Sequence, residues 1–244
     1  MEPAWLLNAV DADSVSRTET HFLGTTPYVP ASEGWPRCEK CGRLLEFVCQ
    51  INFAEFVGSG MFAEGGLFQF FYCWECFPIS DKEIAEGAAL RCRWYPQFDE
   101  RAAEGTEQAD YLVTDDMLLY SPTPMRVNLT PFLSFPDLFN SDHPLAHMEL
   151  DLDEDAGEDA FDVERSLLPT RDYISQLGGY PVWIQSDETP VCPVCGKQAV
   201  SVAAIGSDDT QLLWGDSGYW YFFACKATST CEGLAKPLML SQSH

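Results

Sequence analysis

HFLGTTPYVPASEGWPRCEKCGRLLEF, starting at His21, lies without a gap over SQLGGYPVWIQSDETPVCPVCGKQAVS, starting at Ser175. Leu23 meets Leu177, Gly24 meets Gly178, Pro27 meets Pro181 and Pro36 meets Pro190. Cys38, Cys41 and Gly42 meet Cys192, Cys195 and Gly196. Further on, GLFQFFYC from Gly66 sits over GYWYFFAC from Gly218, which places Cys73 on Cys225. Such ordered matching reads as a duplicated unit. Each unit reads as a Gly-Pro turn, a short strand, a cysteine knuckle, an apolar strand and an aromatic strand ending at cysteine. LFQFFYC and YWYFFAC are rich in strand-favouring residues and bounded by glycine. Their near-continuous apolar character predicts burial on both faces, in the middle of the molecule.

Working outward, the boundaries fall into three parts. Residues 1–145 form an N-terminal half, 146–170 an acidic linker or loop, and 171–244 a C-terminal half. From about Ser80 to Pro144 the signals are mixed, with strand-like runs such as LRCRWYPQF and DYLVTDDMLLY. ELDLDEDAGEDAFDVE then carries nine acidic residues among the sixteen from Glu149 to Glu164. Like charges at that density repel one another and stay solvated. RDYISQLGG, from Arg171, reads as a short helix ending at glycine.

The cysteines carry the chemistry. Cys38-x-x-Cys41-Gly and Cys192-x-x-Cys195-Gly are zinc-knuckle halves, in which a tight turn aims two thiolates at one ion. Cys73-x-x-Cys76 completes the first set, and Cys225 with Cys231 the second, at a looser spacing. The expected cofactors are therefore two structural Zn²⁺ ions. A redox CxxC opens a helix singly and is not duplicated as paired knuckles. Four thiolates fill the tetrahedral shell of zinc and leave no position for a catalytic water. The competing reading, that these cysteines are only small buried hydrophobes, weighs more on the second set than on the first. Cys49 and Cys92 are left over, without an assigned role.

Charge narrows the partners. The chain of 244 residues has 38 acidic residues against 14 basic ones, for a net charge of −24. Two centres of four thiolates and one Zn²⁺ would add −2 each and bring it to about −28. Clusters of Lys and Arg are absent, which excludes direct nucleic-acid binding and attraction to an anionic membrane. A basic protein is the partner that such a field attracts, although charge of this size also serves solubility alone. The start, MEPAWLLNAVDADS, lacks a signal-peptide pattern, and no apolar run reaches transmembrane length. Ten cysteines in a reducing setting point to metal rather than disulfides, so the expected location is cytoplasmic.

No catalytic constellation stands out. His143 and His147 are four apart, but Pro144 lies between them and no HExxH glutamate is present. Gly58-Ser59-Gly60 is not a nucleophile elbow. Asp151, Asp153 and Asp155 imitate the start of an EF-hand loop, whose sixth position is here Ala156 instead of glycine.

Leu177-Gly178-Gly179-Tyr180-Pro181, Trp35-Pro36 and Phe47-Val48-Cys49-Gln50-Ile51 resemble the motifs of the YwqG-like domain family of unknown function. LGGYPVWIQ together with paired CxxC knuckles and an aromatic FF strand is also similar to the programmed cell death protein 2 family, whose members act as chaperones for a basic ribosomal protein. The first stretch departs from GG-x-P, with Gly24-Thr25-Thr26-Pro27. The YwqG-like resemblance implies a mixed α+β fold with internal pseudo-symmetry and no established catalytic residues. It also implies kinship with domains found among bacterial immunity proteins. The expected fold is therefore α+β, with two pseudo-symmetric sheet-containing repeats packed together, each bearing a zinc-ribbon-like knuckle. The halves are expected to meet around Phe70 and Phe222. The expected function is a non-enzymatic inhibitor of a basic protein, an immunity protein against a nuclease toxin. A chaperone for a basic ribosomal protein is the alternative. The residues expected to face the partner are Glu149, Asp151, Asp153, Glu154, Asp155, Glu158, Asp159, Asp162 and Glu164.

Overall fold

Every residue of Leu67–Tyr72 (LFQFFY) and of Tyr219–Ala224 (YWYFFA) is buried, and both segments are strands. An extended segment apolar on both faces needs a layer on each side. The computed structural model, which describes residues 2–24, 26–56, 65–78, 80–99, 123–136, 175–207, 210, 212–226 and 231–244, shows how both layers are supplied. The strands are β1 (Glu2–Asp11), β2 (His21–Phe22), β3 (Glu46–Asn52), β4 (Leu67–Tyr72), β5 (Leu90–Tyr95) and β6 (Met125–Ser134). They continue with β7 (Gln176–Gly178), β8 (Val200–Gly206), β9 (Tyr219–Ala224) and β10 (Leu238–Gln242). All pair antiparallel in one sheet, in the order β10-β9-β8-β7-β1-β6-β2-β3-β4-β5.

This overturns the expected α+β fold of two packed repeats. Among the described residues the one α-helix is α1, six residues from Asp81 to Glu86. It is capped at its start by the Ser80 hydroxyl, which accepts from the Glu83 amide. The two ends of the molecule are not separate sheets laid together but one continuous sheet. The joining strands β1 and β6 pair residue for residue from Glu2↔Ser134 to Asp11↔Met125. Neither lies in the stretches that match each other, so matching alone treated the two ends as separate bodies. The expected helix from Arg171 is corrected where it can be seen. Gln176–Gly178 is strand β7, bonded to β1 on one side and β8 on the other. Two ladders of backbone hydrogen bonds outweigh the weak helical preference of so short a segment. Residues 171–174 lie outside the described set.

The sheet curls into a half-barrel, and its concave side holds the main core. Phe70 of β4 and Phe222 of β9 meet there edge to face, with centroids 4.9 Å apart. Phe68 reaches Phe222 at 5.5 Å and Phe70 reaches Trp220 at 5.4 Å. The expected contact around Phe70 and Phe222 is thus present, across the hollow of one sheet. The curl also brings the two terminal strands together, with Cys92 of β5 3.4 Å from Met239 of β10, sulfur to sulfur.

The convex side of each end is roofed by its own proline-rich loop. Val29, Trp35 and Leu45 pack on Phe47 and Phe71 at one end. Trp183 packs on Tyr221 and Phe223 at the other. Buried glutamines fasten these roofs. The Gln50 side chain accepts from the Tyr28 amide and donates to the Arg17 and Glu19 carbonyls. Gln242 accepts from the Ile184 and Gln185 amides and donates to the Ser186 carbonyl. Among the described residues no helix is long and apolar enough to cross a membrane.

Candidate metal centres

Both cysteine knuckles sit at the mouth of a bulged hairpin. β3–β4 shifts register between Phe47 and Cys49, and β8–β9 shifts between Ser201 and Ala203. Just before β3, Arg37 and Leu44 form an isolated antiparallel bridge, and Val191 and Gln198 do the same before β8. Inside each bridge the chain turns so that the Gly42 amide donates to the Cys38 carbonyl at 2.8 Å. The Gly196 amide donates to the Cys192 carbonyl at 2.9 Å. Both glycines have positive φ, 75° and 69°, a region costly for a residue with a Cβ. The aromatic strands then deliver Cys73 and Cys225 from the opposite side.

The result is two groups of four sulfurs, Cys38-Cys41-Cys73-Cys76 and Cys192-Cys195-Cys225-Cys231, each with all ligand atoms within 4.8 Å of one another. Either group can hold a metal ion. Tetrahedral Zn–S bonds of about 2.3 Å would set sulfurs about 3.8 Å apart. Here Cys41 and Cys73 are 3.8 Å apart, Cys192 and Cys231 3.7 Å, and Cys195 and Cys225 3.3 Å. None of the cysteines is in a disulfide. The donor set therefore fits a thiophilic ion of that size.

Electrostatics point the same way. The Cys192 thiol is pulled down to about 7, chiefly because the Cys195 and Val194 amides donate to its sulfur. In the first group, burial and the neighbouring thiols push Cys76 up to about 11 and Cys73 higher still. Burial also opposes ionisation of Cys41, but backbone and thiol hydrogen bonds outweigh it and lower that thiol. Four thiols at contact distance cannot all ionise unaided, and a bound cation removes the conflict.

The surroundings of the two groups differ. At the first, Lys40 pairs with Glu83 of α1 at 2.6 Å and Glu39 with Arg91 of β5 at 2.7 Å. The Cys73 amide donates to the Ala89 carbonyl at 2.8 Å, so the α1–β5 segment buttresses the knuckle. The second knuckle instead exposes Val191 and Val194.

The leftover cysteines are placed with equal clarity. Cys49 of β3 and Cys92 of β5 flank Phe70 of β4 in register and face the main core. Burial holds both thiols far above their usual range, which makes them inert. The acidic run from Glu149 to Glu164, His143, His147 and Gly58-Ser59-Gly60 lie outside the described residues. Two features escaped the sequence reading. Glu46, the first residue of β3, is 4% exposed, and burial pushes its carboxyl up to about 7. A cavity of about 410 Å³ opens beside the first cysteine group, lined by Tyr72, Trp74, Phe77, Trp214 and Trp220 among others. A tryptophan inside the Cys73-x-x-Cys76 turn was the available signal for it.

The model of the family described as "Domain of unknown function (DUF1963)" matches residues 22–228. The chain belongs to this family. The DUF1963 match, the YwqG-like family of the motifs above, takes in seven of the eight clustered cysteines and stops three residues short of Cys231. An "Uncharacterized protein YpfL" of Salmonella typhimurium (strain LT2) is 35% identical over 63 residues, 26% of this chain. That alignment covers 14% of the length of the YpfL protein, so the DUF1963 chain spans far less than two thirds of this relative.

Proposed function

We propose that this DUF1963 protein is a non-enzymatic, zinc-stapled binding protein for a basic protein partner, and that the partner is a nuclease toxin which it neutralises. The observation that carries the reading is the net charge of −24 on a chain with only 14 basic residues. Nucleases need cationic surfaces to hold phosphates. An opposite field finds such a surface fast and covers it as a nucleic-acid mimic. Zinc in the two four-cysteine groups supports this role as a staple, because closed thiolate shells leave no open coordination site for chemistry. A preorganised scaffold loses little entropy on binding.

The test is protection. The chain is co-expressed with nuclease toxins of its own host, and rescue of growth from one of them is expected. The association rate of the purified pair should fall steeply between low and physiological salt. Replacing the Asp and Glu residues from 149 to 164 with Asn and Gln should flatten that dependence. No rescue, together with stable binding of a free ribosomal protein, would move the reading to chaperoning. A salt-indifferent association rate would remove the charge from the mechanism.

A further inference from the structure

We propose that the aromatic cavity beside the first cysteine group is a receptor for a guanidinium group, the side chain of an arginine on a basic protein partner. This rests on the reading above and gives the partner a place to dock. The cavity holds about 410 Å³, within the range of small-ligand sites. Its walls come from both ends of the sheet. Trp74 lies within the Cys73–Cys76 turn, Phe77 follows Cys76, Tyr72 ends β4, Trp220 belongs to β9, and Trp214 precedes β9.

The rings pack on one another into one aromatic wall. Trp214 stands at 80° to Tyr72 with centroids 5.3 Å apart, and at 74° to Trp220 at 6.0 Å. Trp74 stacks on Trp214 at 4.8 Å and 19°. Aromatic faces carry negative quadrupole and attract cations most strongly when the cation is a planar, weakly hydrated guanidinium. No lining residue is charged, so nothing in the walls repels it. The exposed carboxylate of Asp216 lies next in sequence to Gly215 of the rim, Glu75 next to Trp74 is paired with Arg43 at 3.5 Å, and the whole chain is strongly anionic.

The wall is preformed. The Trp214 amide donates to the Ser207 hydroxyl at 2.9 Å, and that hydroxyl donates to the Gly218 carbonyl at 3.0 Å. The Gly218 amide closes the turn on the Trp214 carbonyl at 2.7 Å. A Cβ at position 218 would strike the Gln242 carbonyl, so the turn lies hard against β10. The mouth is apolar, with Phe77 47% and Leu213 36% exposed. Single exposed apolar side chains are ordinary, but two on the rim of one aromatic cavity mark a docking site.

The experiment titrates the full zinc-loaded chain with an arginine–glycine repeat peptide, followed by tryptophan fluorescence at low salt. A peptide of the same length with citrulline in place of arginine is the control. Saturable binding of the arginine peptide is expected, with the citrulline peptide at least about tenfold weaker. Phe77→Ala and Trp74→Leu should each weaken the arginine peptide about fivefold, in the range of a lost cation–π contact. Phe77 is half exposed, so its variant keeps the fold, which near-ultraviolet circular dichroism checks. Equal binding of the citrulline peptide overturns the guanidinium assignment. Arginine-peptide binding that both variants leave unchanged overturns the cavity while sparing the basic-partner reading. No binding of the arginine peptide at low salt overturns the guanidinium receptor and leaves the basic-partner reading to the salt series with the nuclease.

Discussion

Gly42 and Gly196 follow the second cysteine of each knuckle at φ 75° and 69°, yet a Cβ built on either meets nothing within 4 Å. Their requirement is conformational and not steric. Gly42→Ala should therefore cost about 1–2 kcal/mol, the left-handed penalty, and Gly42→Asn distinctly less. Urea unfolding of the zinc-loaded protein reads this, and a larger loss for Asn than for Ala would contradict it. Glu46 makes the second residue-scale prediction. Its pKa in the fold is raised to about 7 from the ordinary 4.5, chiefly by burial. A raised carboxyl pKa gives stability that is present below pH 4.5 and is lost as pH rises through 7. His21 acts oppositely. Burial lowers it to about 4, so its contribution is present above pH 6.5 and is lost as pH falls through 4. Glu46→Gln should therefore gain on the wild type between pH 4.5 and 7, by at most about 1.4 kcal/mol per pH unit. Taking the difference between the two proteins cancels the protons that cysteines bind on unfolding. A flat difference across that window would show that Glu46 is solvated.

At the scale of elements, the loops that roof the sheet are held by buried amide side chains as well as by their packing. Gln50 bonds the Tyr28 amide at 3.0 Å, and Gln69 donates to the Tyr28 carbonyl at 2.7 Å and to Gln50 at 2.8 Å. Gln50→Leu removes the acceptor of the buried Tyr28 amide and one of the two acceptors of Gln69 and should cost about 2–3 kcal/mol. Hydrogen exchange at the Tyr28 amide should accelerate more than exchange in β4, and equal acceleration would mean global loosening only. The knuckles are elements too. Elemental analysis should find about two zinc ions per chain, matching the two four-cysteine groups. Cys41→Ser should reduce zinc at the first group and leave the second loaded, since each group draws its ligands from a different end of the sheet. Fewer than one zinc per chain in carefully prepared wild-type protein would refute both centres.

For the whole molecule, the curl of the sheet is what makes one core out of two ends. Phe70 and Phe222 lie seven strand positions apart in the sheet order but touch at 4.9 Å. A double-mutant cycle with Phe70→Leu and Phe222→Leu should show coupling of about 0.5–1.5 kcal/mol. Strict additivity would mean that the ends do not pack on each other. The cavity of Tyr72, Trp74 and Trp214 is a product of the same curl, because its walls come from segments more than a hundred residues apart.

The sequence alone determined what local chemistry determines. Cysteine spacing with a following glycine marked Cys38, Cys41, Cys192 and Cys195, since such a knuckle is a turn of a few residues whose geometry is set within itself. Cys73-x-x-Cys76 and the repeat match at Cys225, with Cys231 beyond it, supplied the other four. Near-continuous apolar runs marked β4 and β9 and their burial on both faces, since a layer on each side is what hides such residues in extended chain. What the tertiary structure alone decided was how these pieces join. β1 and β6 carry no internal match, so their residue-for-residue pairing, which welds the ends into one sheet, left no trace in the matched stretches. Gln176–Gly178 had a helical look and became a strand because β1 and β8 offered it two ladders at once. The raised pKa of Glu46 and the walls of the aromatic cavity have the same origin. Both depend on which distant side chains exclude water, and that is settled only when the sheet closes.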